Sequence, residues 1–368
     1  MFKRVYSDRR VLVTGHTGFK GSWISAWLLA LEARVSGLAL DPNDDERLFT
    51  DLGLAKRLAS DHRVDLRDAG LVARVVEHVE PDFIFHLAEL RPAPRSRPSP
   101  VDAFATNLMG TLNLLEGVRR AGRTCIVVVA STDACYERHD GDTLYHEADR
   151  LGSSGVYGAS KTAMELVLDT YRNSIFGPDF DVRIGAARMG DVIGGGEWGR
   201  SALVADAIRA LRNHLPAPVR RPMTLVPWQH VLEPISGLLW LALVLERPET
   251  LDYADARELC GTFNFGPSEA NLRTESELIE EILSYIPGRW APATTDVLEH
   301  ETHSRQLSTK KAREVLGWCP VWDFGEVARE TATWYLAQSA GKDMFKATIE
   351  QIRRYEMAAS TRGLALAR

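Results

Sequence analysis

Val11-Leu12-Val13-Thr14-Gly15-His16-Thr17-Gly18-Phe19-Lys20-Gly21 is the stretch on which the fold turns. A short β-branched run ends in a glycine-spaced turn, and the apolar spacing of a helix begins at Phe19. Glycines at these positions keep side chains away, so backbone N–H groups and the positive end of the helix dipole can approach a pyrophosphate. Outward from this turn, the chain to about Arg188 alternates short apolar runs with stretches of helical period. Strands are expected at Val11–Val13, Val35–Leu40, Phe83–Phe85, Ile126–Ala130 and Val182–Ala186, and helices over Phe19–Leu31, Val101–Ala121 and Tyr157–Tyr171. The run at Ile126–Ala130 is apolar on both faces, as in a sheet covered by helices on both sides. The expected fold class is α/β, a Rossmann-type doubly wound parallel sheet with a smaller C-terminal substrate domain.

Composition narrows the function. The 368 residues are 45% apolar, and 44 Lys and Arg face 50 Asp and Glu, a formal charge of −6. Both signs are interspersed, which argues against a nucleic-acid or anionic-membrane partner. The polar N-terminal ten residues carry no leader pattern, and the most apolar run, Ile235–Leu245, is far short of the ~20 residues a bilayer needs. Cys125, Cys135, Cys260 and Cys319 lack metal-ligand spacing, so no metal is expected and a reduced, cytoplasmic location is. After Arg188 the alternation breaks at Gly194–Gly196 and in the Pro-rich stretch 216–227. The expected division is a dinucleotide domain over 1–190, with 227–258 returning to it. A substrate-binding part follows over 191–226 and 259–340, and 341–368 forms a helical tail that docks, swaps or frays.

The dinucleotide site is read from Gly15, Thr17, Gly18, Phe19, Lys20 and Gly21. Asp41 falls twenty residues past Gly21 at the end of the second strand, where a carboxylate holds a ribose 2′-hydroxyl and repels a 2′-phosphate, so NAD is expected over NADP. Asp65 and Leu66 end the third strand, near an adenine. Thr132 follows the central strand, and Tyr157 and Lys161 stand four apart on one helical face. An ammonium beside a phenol, together with a bound nicotinamide cation, is expected to lower the tyrosine toward neutrality, so that it takes a proton from a sugar hydroxyl. Trp23 and Trp27 have core spacing, His16 shapes the turn, and His62, His78 and His139 are expected in solvent.

These residues resemble the extended short-chain dehydrogenase/reductases and, within them, the CDP-glucose 4,6-dehydratases. The resemblance rests on Val13–Trp23, His86-Leu87-Ala88, Thr106-Asn107, Ser131-Thr132-Asp133, Cys135-Tyr136-Glu137 and Gly190 with Val192–Gly196. It also rests on Pro227–Pro234, Asn264–Pro267 and Leu316-Gly317-Trp318, with the Trp228–Pro234 run the most specific. It implies C4 oxidation of a nucleotide sugar, loss of water across C5 and C6, and return of the hydride to C6. Tyr157 is then the base, Thr132 its hydrogen-bonding neighbour, Lys161 the electrostatic support and Asp133 the acid for the departing C6 hydroxyl. Leu87, Ala88 and Asn107 join the NAD site; Asp191, Arg200, Arg220, Trp228 and His230 face the substrate; a homodimer is implied.

The chain also departs from the pattern. Ala134 stands where the family has the base for C5, and Glu89, in place of a small residue, either replaces that base or has a structural role beside the site. Asp191, Ala202 and Val226 replace an asparagine and two arginines of the diphosphate grip, with Arg200, Arg220 and Arg221 as nearby compensators. Three readings stay open: a dehydratase with a relocated base, an NAD-dependent epimerase or oxidoreductase acting without dehydration, and a catalytically silent NAD-binding protein.

Overall fold

A computed structural model describes residues 2–43, 47–91, 99–138, 144–153, 155–176, 181–199, 202–293 and 306–365. Arg200 and His139 lie outside the described residues. Seven parallel strands form the central sheet: β1 (Arg10–Thr14), β2 (Arg34–Ala39), β3 (Ser60–Arg63), β4 (Phe83–His86), β5 (Cys125–Thr132), β6 (Val182–Met189) and β7 (Thr262–Phe265). Their spatial order is β7-β6-β5-β4-β1-β2-β3, which reverses direction beside β1 and opens a crevice at the carboxyl ends. Alternate residues feed two cores. Val11, Val13, Phe83, Phe85, Ile126 and Val128 enter one, while Leu12, Ile84, Val127 and Val129 enter the other. That two-residue period with both faces buried explains the unbroken apolar run in β5.

Helix α1 (Phe19–Ala30) leaves the glycine turn. The helix expected over Val101–Ala121 is interrupted by a wide π turn at Ala105–Met109, after which α2 (Gly110–Ala121) continues. Helix α3 (Val156–Thr170) carries Tyr157 and Lys161. Helix α4 (Leu232–Glu246) is buried along Leu232–Leu245, apolar on all sides because it is enclosed by sheet and helices.

The division expected at residue 259 crosses the sheet, because β7 pairs with β6 through Thr262↔Ala186 to Phe265↔Met189. The tail docks. After α5 (Phe324–Ser339), α6 (Met344–Thr361) lies against α1 and α4: Trp27 Nε1 donates to Glu356 Oε1 (2.9 Å) and Tyr355 Oη to Glu233 Oε2 (2.7 Å). Among the described residues, no helix is long and apolar enough to cross a membrane.

Candidate active site

The glycine turn is built for close approach. Gly15 has φ +69°, and a Cβ there would lie 2.7 Å from the Ala88 nitrogen; one at Gly21 would lie 2.0 Å from the Gly15 oxygen. Gly18 caps α1 without a side-chain hydrogen bond, so the amides of its first turn stay open to an anion. Thr17 Oγ1 donates to Leu40 O (3.2 Å), tying the turn to the end of β2, while the Asp41 side chain is 87% exposed with Arg63 Nε at 3.7 Å. Leu87 and Ala88 donate their amides to Thr14 O and Thr14 Oγ1. These residues fit a dinucleotide whose nicotinamide, when bound, accepts and returns a hydride.

The structure supplies the partners of two residues of the cradle. His16 is fully buried, packs where a Cβ on Gly37 would otherwise sit, and bonds Asp61 Oδ1 through Nε2 (2.9 Å). Burial lowers its pKa, so it shapes the turn as a neutral ring. Asp65 does not stand free for an adenine, because Arg67 holds its carboxylate through the backbone amide and the guanidinium, and this hydrogen bonding lowers its pKa. Leu66 is buried and its carbonyl accepts from Asn113.

At the carboxyl end of β5, Thr132 Oγ1 donates to Asp133 Oδ1 (3.1 Å) and accepts the Ala134 amide (3.2 Å), closing a short turn over Asp133–Cys135. Tyr157 and Lys161 project from α3 toward this point, and Lys161 Nζ donates to Ala130 O (2.8 Å). Glu89 joins them. Its Oε2 accepts the Tyr157 hydroxyl at 2.9 Å and lies 3.2 Å from Lys161 Nζ. The backbone beside it is fixed, since Asn107 Oδ1 accepts the Leu90 amide (2.7 Å) and Nδ2 donates to Leu90 O (3.1 Å) and to Ser160 Oγ (2.9 Å). Asn107 thus serves as a clamp on the loop that carries Glu89. It sits in the π turn, where an extra residue per turn re-aims a side chain. Behind it, Thr14 Oγ1, His86, Thr111 and the Asn107 carbonyl form a buried hydrogen-bonded chain, and burial holds His86 down at about 3.

The geometry adds a neighbour to the phenol that the Tyr/Lys spacing does not show. Burial, followed by the Glu89 carboxylate, pushes the phenol well above its ordinary range. Lys161 directs its donors at Ala130 O and Glu89, so the immediate partner of the phenol is an anion. Burial alone would raise Glu89, but Lys161, Lys20 and Arg91 outweigh it and hold the carboxyl at about 2.

Across the cleft, Arg91 Nη2 pairs with Asp191 Oδ1 (3.0 Å) while its Nε lies 3.7 Å from Glu89 Oε1. Glu197, on the same loop as Asp191, shares the field of Arg91, Asp191 and Lys20, and burial raises it to about 7. The expected substrate residues fare unevenly. Arg220 pairs with Asp206, which also takes Arg209, and Arg221 pairs with Glu275. Trp228 is buried and donates Nε1 to Arg273 O. His230 is wholly buried edge-on to Trp23 and Trp322, accepts the Leu232 amide at Nδ1 and meets Gln351 at Nε2. Both Trp228 and His230 are therefore packing residues, a correction to their placement on the substrate side. The Trp228–Pro234 run is buried throughout, its polar side chains Gln229, His230 and Glu233 included.

A doubly wound parallel sheet with a glycine turn at its first βα junction and a Tyr/Lys pair at its carboxyl edge defines a nicotinamide-dependent enzyme of the short-chain dehydrogenase/reductase class. Residues 11–247 match the NAD dependent epimerase/dehydratase family, and the chain belongs to it; NAD is its cofactor. CDP-glucose 4,6-dehydratase of Salmonella typhimurium is 34% identical over 98% of this chain and 99% of that protein. dTDP-glucose 4,6-dehydratase of Neisseria gonorrhoeae is 25% identical over 89% and 96%. Among solved structures, UDP-glucose 4-epimerase of Thermus thermophilus in complex with NAD superposes with a TM-score of 0.70 at 26% identity, covering 89% of this chain and 99% of that one.

Proposed function

We propose that the protein is a nucleotide-sugar 4,6-dehydratase of the CDP-glucose type. The observation that carries this reading is the gathering of Thr132, Asp133, Tyr157 and Lys161 at the end of β5 in a chain that aligns over 98% of its length with CDP-glucose 4,6-dehydratase. Tyr157 takes the C4 hydroxyl proton as the C4 hydride leaves, Thr132 hydrogen-bonds that oxygen, and Asp133 protonates the departing C6 hydroxyl. The C5 proton needs another base, since position 134 presents a methyl group. Glu89 is a poor one, committed to Tyr157 and Lys161 and held at about 2. Glu197, on the loop that carries Asp191 and in the field of Arg91, is raised by burial to about 7 and stands beside Glu89 as a second candidate.

Ala134 also favours a second reading, reversible C4 oxidation or epimerisation without loss of water. Incubating the NAD-loaded protein with CDP-glucose in deuterated water separates the two. Loss of water with deuterium at C5 supports the dehydratase, and an unchanged sugar mass overturns it in favour of the second reading. Whichever of Glu89→Gln and Glu197→Gln stops the elimination while C4 oxidation, followed as NADH absorbance, persists identifies the base.

A homodimer built on α2 and α3 belongs to the same proposal, supported by the exposed apolar side chains of Val101, Met109 and Leu166 on these helices and the segment leading into α2. A cytoplasmic setting is supported by four cysteines that are all free.

A further inference from the structure

We propose that Glu89 is a positioning residue that keeps Tyr157 protonated until a sugar hydroxyl replaces the phenol on its carboxylate, so that the base forms only in the substrate complex. The inference rests on the role given to Tyr157 above.

One oxygen, Glu89 Oε2, receives both the Tyr157 hydroxyl at 2.9 Å and the Lys161 ammonium at 3.2 Å, and the side chain is only 12% exposed. A carboxylate that accepts a hydroxyl proton favours the neutral phenol twice, as hydrogen-bond acceptor and as a nearby negative charge. It also takes up the ammonium that would otherwise stabilise the phenolate. The contact is built rather than incidental, because Asn107 grips both backbone polar groups of Leu90 and so fixes the residue that follows Glu89.

The charges around the pair come from several elements. Lys161 on α3, Lys20 on α1 and Arg91 on the same loop face Glu89. Arg91 and the Thr132 hydroxyl face Tyr157, with Asp133 beside Thr132. Asp191 and Glu197 lie beyond Arg91, and His86 lies in the field of Lys161 and Glu89 as a neutral ring. The cations keep Glu89 ionised throughout the working pH range, so the acceptor does not switch itself off. What displaces the phenol is a competing donor, and the hydroxyl next to the reacting carbon of a hexose is one. When it bonds Glu89, the phenol proton passes to solvent and the Lys161 ammonium supports the phenolate. That phenolate then takes the C4 hydroxyl proton as the hydride leaves for the cofactor. Charge and protons balance, with one proton released to the medium on binding.

The test needs no turnover. Phenolate absorbance near 295 nm is titrated in NAD-loaded protein, with Tyr157→Phe subtracted to isolate Tyr157. Glu89→Gln and Glu89→Ala should each bring the Tyr157 transition to lower pH, by at least about one unit. Adding Lys161→Met to Glu89→Ala should reverse that shift. With CDP-glucose, pre-steady-state NADH formation in wild type should accompany release of close to one proton, read by an indicator dye, and Glu89→Ala should release fewer. An unmoved Tyr157 transition in both Glu89 variants overturns the proposal and leaves the dehydratase reading intact. Failure of wild type to oxidise any nucleotide sugar, with the transition shifted as expected, overturns that reading instead.

Discussion

Two regions of this molecule hold the same kinds of side chain and use them differently. The chamber at the end of β5 contains Glu89, His86 and Tyr157; the docking site under α6 contains Glu233, His230 and Tyr355. Glu233 is buried and Glu89 nearly so, each beside a tyrosine hydroxyl that donates to it. Glu89 is surrounded by Lys161, Lys20 and Arg91 and is held at about 2, ionised. Glu233 accepts the Val321 and Trp322 amides as well as Tyr355, has no ion pair among the described residues, and is raised by burial to about 7. A buried carboxylate thus takes its role from the charges around it. Amides and hydroxyls make it a joint that fastens segments, whereas ammonium groups keep it charged and able to govern a neighbouring proton.

The sharpest way to break that comparison is Tyr157→Phe. It removes the hydroxyl that donates to Glu89 beside Lys161, and general-base assistance is worth ~10²–10⁴-fold, so C4 oxidation should fall by about that factor. The urea midpoint should stay close to wild type, because the ring and its packing remain. Near-native NADH formation by this variant would show that the chamber is not the site of chemistry.

Glu233→Ala should do the reverse. It leaves two buried amides and the Tyr355 hydroxyl without their acceptor, a loss of about 3 kcal/mol or more in urea unfolding, with the rate per folded molecule little changed. Its pH signature has a definite sign. Burial raises Glu233 from 4.5 to about 7, so the folded protein holds this proton more tightly than the unfolded chain. Its favourable contribution is complete below about 4.5 and is lost as pH rises through about 7, on the order of 3 kcal/mol. Glu233→Gln should flatten that part of the stability profile relative to wild type. An identical slope in the two proteins would show that Glu233 is not a titrating joint.

The fold was legible because its signals are local: glycines 15, 18 and 21 between a β-branched run and a helix, and strand spacing repeated to Met189. Tyr157 and Lys161 were legible as a pair because helical geometry places residues four apart on one face. Glu89 was visible only as an odd residue after His-Leu-Ala. Its place between Tyr157 and Lys161 depends on a π turn that aims Asn107 at Leu90, and nothing in the 101–121 pattern marks that turn. His230 misled for the opposite reason. Its motif is distinctive, yet the ring is enclosed by Trp23, Trp322 and Gln351 from three distant parts of the chain. Arg220 and Arg221 looked available for an anion, but their carboxylate partners Asp206 and Glu275 are identified only by folding.

The smallest expected effect lies at the rim of the chamber, where the comparison can be sharpened without disturbing either region. Asp191 is 70% exposed and its partner Arg91 51% exposed, so their pair is screened and contributes at most ~1 kcal/mol. Asp191→Asn should therefore shift the urea midpoint hardly at all, in contrast to any change at Glu233. It removes a negative charge from the loop facing the substrate side and releases Arg91 from a competing carboxylate, and both changes favour an approaching diphosphate. Calorimetric titration of the NAD-loaded protein with CDP should show binding about two- to fivefold tighter in the variant, an advantage that shrinks at high salt because the groups are exposed. Weaker CDP binding would mean that Asp191 holds Arg91 in the geometry the nucleotide needs, and that this exposed pair is as structural as the buried carboxylate beneath α6.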